Sequence, residues 1–118
     1  VLSGAGGILS TATDLSKFLN AQFDANNNEL ALTRIPTFVI DGQMKIGLGW
    51  HIVKSGSGRE LHWHNGGTGG YSTSMALDAE NKNGVIILSN VSAFHPEMGN
   101  IDTICFEMMK QLEKVNRH

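Results

Sequence analysis

Between Ile46 and Asn90 short apolar runs alternate with breaks rich in Gly, Ser and Asn, and nothing else in the chain constrains its fold as strongly. "IGLGWHIVK" (46–54) reads as a strand, "SGSGR" as a hairpin turn and "ELHWHN" (60–65) as its return. Gly- and Ser-rich loops between runs of period two are the signal of a β-hairpin. "GYSTSMALD" (70–78) and "NGVIILSN" (83–90) form a second hairpin across "AENK". The last strand is apolar on both faces, as expected of a strand that is central in the sheet or covered. Together these runs predict an antiparallel sheet of about three strands.

Helices flank this region. Thr11 with Asp14 three residues later has capping-box spacing, and Leu15, Phe18, Leu19 and Phe23 recur at three and four residues, predicting a helix over about 12–23. "DANNNEL" ends it, because clustered Asn and Asp favour turns. Residues 29–45 have no clean period and contain Pro36, so they read as a mostly irregular crossing with room for a short helix or strand. "MGNIDTICFEMMKQLEKV" closes the chain as a helix with Ile101, Ile104, Cys105, Met108, Leu112 and Val115 on the stripe meant for the sheet. The expected fold class is therefore α+β, with an N-terminal and a C-terminal helix packed on the sheet.

At 118 residues, 41% of them hydrophobic, the chain suffices for one domain with a modest core. A net charge of −2 and scattered Lys and Arg argue against a nucleic-acid partner. Cys105 is the only cysteine, so an internal disulfide is excluded and a buried thiol is expected. No apolar run is long enough for a transmembrane segment.

The chemistry concentrates in "HWHNGGTGGYS" (62–72). On a strand His62 and His64 share one face and Trp63 takes the other, while the glycines that follow let backbone N–H groups approach a ligand. A phosphate cradle would need a helix after the glycines, and a strand follows instead. A His-x-His metal site has two ligands in His62 and His64, yet His51, His95 and His118 offer no signature spacing for a third. A glycine-rich hairpin with solvent-facing histidines remains open on these residues alone.

The order of four blocks adds to this reading. "GGILSTATDLSKFL" (6–19), "GLGW" (47–50), "HNGGTGGYSTSM" (64–75) and "GVIILSN" (84–90) resemble the C-terminal part of the serine β-lactamase-related family. That family takes in class C β-lactamases, penicillin-binding D-alanyl peptidases, D-aminopeptidases and esterases. The resemblance implies that "HNG" (64–66) fills the family's third box, Lys-Thr-Gly or His-x-Gly, with His64 in the place of the basic residue. It also implies that the N–H of Gly67 forms half of an oxyanion hole, and that Asn65, Gly66, Thr68, Gly69 and Gly70 shape the substrate wall.

The family's Ser-x-x-Lys nucleophile and Tyr-x-Asn box are missing. The residues three before the six lysines are Asp14, Gly42, His51, Ala79, Glu107 and Gln111, and the single tyrosine, Tyr71, falls in "YST". Residues 1–118, which open at Val1 without an initiator methionine, are therefore expected to be the C-terminal portion of a β-lactamase/transpeptidase-like domain, inactive alone. Its substrate would be a small-molecule or peptide-like amide or ester, with no cofactor and no metal. It would pair with the missing N-terminal part or with itself through an exposed strand edge. The resemblance implies a periplasmic or cell-surface setting. A catalytically silent binding or sensor protein that keeps the fold is the alternative.

Overall fold

The computed structural model describes residues 4–115. The first helix, α1 (Ala12–Gln22), is capped as its sequence requires, with the Thr11 hydroxyl accepting from the Asp14 N–H at 3.1 Å. A second, shorter helix, α2 (Asn28–Thr33), starts from an Asn27 cap inside the Asn cluster. Two short strands follow, β1 (Phe38–Val39) and β2 (Met44–Ile46), and then β3 (His51–Lys54), β4 (Glu60–Gly67), β5 (Ser72–Asp78) and β6 (Asn83–Ser89). Helix α3 (Asn100–Val115) closes the described chain.

All neighbouring strands are antiparallel and the sheet order is β1-β2-β3-β4-β5-β6, a continuous meander of six strands rather than about three. β1 and most of β2 lie in the 29–45 stretch that reads as an irregular crossing, and β2 ends at the start of the 46–54 segment that reads as one strand. That segment breaks at Gly47–Trp50, where the Gly47 N–H donates to the Trp50 carbonyl and the Leu48 N–H to that of Thr33. Gly49 takes φ +87°, and a Cβ on Gly47 would stand 2.5 Å from the Thr33 carbonyl oxygen. The break is the turn that folds β2 back antiparallel onto β3, and the Leu48 N–H ties it to the end of α2. With only two and three residues, β1 and β2 are too short to display a period.

Helices cover both faces. On one, α3 packs over Leu61, Ala76 and Val85, adding Cys105 and Met109 to the core. On the other, Leu19 of α1 lies with Trp50, Ile52 and Leu77. Burying those side chains, at roughly 1.5–3 kcal/mol each, is what holds the layers together.

The buried seam of α3 is rotated from the expected stripe. Cys105 and Met109 are buried, whereas Ile104, Met108 and Val115 face outward. Two polar anchors explain the roll. Asn65 of β4 donates to Asp102 at 2.9 Å and Ser57 donates to Glu113 at 2.8 Å, drawing down the flank that carries both acids. At the far end of the sheet, Arg59 grips the buried Asp78 through two nitrogens. Burial works to raise the Asp78 carboxyl, but bonds from Arg59, Asn81 and Glu80 outweigh it and hold it below its ordinary value.

Candidate functional site

Strand β4 outruns its neighbour. Its last partner on β3 is the pair His51–Trp63, so among the described residues the stretch from His64 to Gly67 has an open edge on that side. On the other side it stays paired to β5 through Gly67–Ser72. The Thr68 N–H donates to the Tyr71 carbonyl at 2.8 Å and closes the turn. Bonded and non-bonded pairs alternate along an antiparallel ladder, so with Thr68–Tyr71 bonded, Gly67–Ser72 is a non-bonded pair. The Gly67 N–H accordingly points away from β5, toward the open edge.

Asn65 occupies the same phase of the ladder, which turns its carbonyl to that edge as well. The exposed His64 ring bends over the edge and its Nδ1 lies 2.6 Å from the Asn65 carbonyl oxygen. A carbonyl can only accept, so Nδ1 carries the proton and Nε2 of the neutral ring keeps a free lone pair.

A side chain would be crowded at two of the glycine positions. A Cβ on Gly67 would stand 2.7 Å from the Cβ of Ala93, and one on Gly66 would stand 2.9 Å from the Thr73 hydroxyl. The loop carrying Ala93 is tied on by its N–H to the Thr68 carbonyl at 2.8 Å, and Ser72 donates to the Val91 carbonyl. Thr68, Gly69 and Gly70 are exposed at the turn, and Tyr71 is 62% exposed. Residues 64–70 thus form one continuous ribbon, with Asn65 anchored from behind by Asp102.

His62 does not face solvent, as a hairpin with solvent-facing histidines would require. It is buried, with Nε2 3.3 Å from the Arg34 carbonyl oxygen and Nδ1 without a partner. Desolvation pulls its titration below the ordinary imidazole value, against the pull of the Arg34 carbonyl and of Glu60. Among the described residues no group of three or more His, Cys, Asp or Glu is placed to hold a metal ion. His51, passed over in the sequence for want of a motif, is the residue that meets His64: their ring centroids are 5.3 Å apart, and Trp63 lies at the same distance from His51. Only the end of β3 at that register brings them together, and spacing along the chain carries no trace of it.

Trp50 and Trp63 pack as anchors. The Trp50 ring is buried against Phe18, and its Nε1 donates to Thr33; Trp63 donates to Ser74 and lies against Phe106. Among the described residues no helix is long and apolar enough to cross a membrane.

No curated protein matches the chain. A family model described as Beta-lactamase matches residues 2–103, a span that includes α1, the whole six-stranded sheet and the ribbon at 64–70. Covering most of the 118 residues, that match agrees with the helices packed on an antiparallel sheet: the chain belongs to the β-lactamase family.

Proposed function

We propose that residues 64–70 are the oxyanion and substrate wall of a serine hydrolase that cleaves an amide or ester through an acyl-enzyme. The nucleophile and its activating lysine come from a part of the polypeptide upstream of Val1, so the 118 residues do not hydrolyse substrate alone. The observation that carries this reading is the Gly67 N–H, directed off the ladder at an open strand edge. A fixed N–H of this kind meets the charge that develops on a carbonyl oxygen under attack, with no reorganisation at the moment of reaction.

The same edge offers a bound acyl chain an extended partner, and Gly66 and Gly67 leave room for it. His64 keeps Nε2 free to exchange a proton or to hydrogen-bond the substrate. Unlike lysine, a histidine is no permanent cation for a β-lactam carboxylate, so a peptidase or esterase is favoured over a dedicated β-lactamase. Residues 1–118 are then the C-terminal portion of one catalytic domain. The outer edge of β6, unpaired among the described residues, takes a strand from the upstream part or, failing that, a second copy of the chain. The family's habits place such an enzyme at the cell surface or in the periplasm. The absence of Ser-x-x-Lys from these residues equally fits a binding or sensor protein that keeps the groove without the chemistry.

Two substitutions in the complete polypeptide test the oxyanion role. Gly67→Pro removes the N–H, while Gly67→Ala places a Cβ at the same 2.7 Å from Ala93 and keeps it. Acylation by a chromogenic ester should fall about 10²–10³-fold more in the proline variant than in the alanine variant. Equal rates in the two would remove the oxyanion role from Gly67.

A further inference from the structure

His51 and His64 lie ring to ring at the open edge of the sheet. His51 ends β3 and His64 begins the open stretch of β4, one register step past the pair His51–Trp63. Their rings are 5.3 Å apart, centroid to centroid, and inclined at 46°. The two groups differ in what the fold asks of them. His64 spends its Nδ1 proton on the Asn65 carbonyl and leaves Nε2 free. His51 has Nδ1 buried without a partner.

We propose that His51 and His64 form a two-histidine site for a late first-row divalent cation, Zn²⁺, Cu²⁺ or Ni²⁺, with water completing the coordination. The geometry agrees in magnitude. With a metal–nitrogen bond of about 2.0–2.1 Å and a ring radius near 1.2 Å, two imidazoles on one tetrahedral ion have centroids roughly 5 Å apart. Imidazole pairs favour these borderline ions over Mg²⁺ or Ca²⁺, which require oxygen donors. The bond from His64 Nδ1 to a backbone carbonyl is the support that metal-bound histidines commonly have: it fixes the tautomer, orients the ring and raises the basicity of the other nitrogen. A shared ion would also bring a polar partner to the His51 ring, whose packing against Trp63 and His64 leaves Nδ1 dry.

This pair differs from the one that chain spacing singles out, His62 with His64. His62 is turned into the core against the Arg34 carbonyl, and only His64 of those two stands at the edge. If His64 acts at the substrate wall, a consequence that rests on the function proposed above, an ion on Nε2 takes that nitrogen from the substrate and inhibits reversibly. Binding itself does not depend on that reading, and the experiment measures binding alone.

The chain is titrated with ZnCl₂ by calorimetry at neutral pH, and with CuCl₂ while the fluorescence of Trp63, 5.3 Å from His51, is followed. One ion per chain is expected, with quenching by copper. His64→Ala, at an exposed position, and His51→Phe, which keeps a ring against Trp63, should each weaken binding by about tenfold or more. His95→Ala should leave it unchanged. Circular dichroism verifies that each variant keeps the wild-type fold. Binding that survives either His51→Phe or His64→Ala, or that is missing in the wild-type chain, overturns the proposal.

Discussion

His62 and His64 stand two residues apart on one strand and meet opposite fates. His64 reaches the open edge, whereas His62 is 5% exposed and neutral in the fold. Its folded-state titration lies below the ordinary imidazole value, so the unfolded chain takes up a proton first as the pH falls through about 6.5. Stability from this residue is complete above that pH and is lost on acidification. Asp78, held below its ordinary carboxyl value, adds a second loss only when the pH falls through about 4 and below. The urea midpoint should therefore drop between pH 7 and pH 5 by more in the wild-type chain than in His62→Gln. Equal drops would mean that His62 is solvated. At this scale the sequence singled out the stretch 62–72, because the histidines and the glycines stand together there. It did not show which histidine is buried, since alternation assigns both to one face and only the arrival of α2 covers His62.

Among the elements, the closest fit is between β6 and α1. A Cβ on Gly84 would stand 2.4–2.9 Å from three atoms of the Leu19 side chain, which is itself packed in a core with Trp50 and Leu77. Gly84→Ala should therefore destabilise the chain by about 1–3 kcal/mol through overpacking, measured as a fall in unfolding free energy in urea. No change would mean that α1 lies farther from the sheet. The ends of α1 were legible because Thr11 and Asp14 form a local capping signal. The break at Gly47–Trp50 was not, because its cause is the Thr33 carbonyl, which approaches from another element. The roll of α3 escaped the hydrophobic stripe for the same reason: Asn65 and Ser57 fix it through Asp102 and Glu113.

Taken whole, the described residues form a six-stranded meander with much of its apolar surface open. Ile8, Leu9, Phe38, Val39 and Phe94 are more than half exposed, and the outer edge of β6 is unpaired among the described residues. Exposed apolar surface and an open strand edge are features that proteins cover with further chain or with a partner. The two hairpins and the flanking helices followed from turn chemistry and periodicity, whereas the count of six strands did not. Acyl transfer needs nucleophile, base and oxyanion donors in one place, and on the function proposed here the first two lie outside residues 1–118. Treating the complete polypeptide and the 118-residue chain with a fluorophosphonate, and reading the intact mass of each, tests this most directly. The account predicts a single adduct on a serine upstream of Val1 and none on the shorter chain. An adduct on a serine within residues 1–118, or none on either protein, would contradict it.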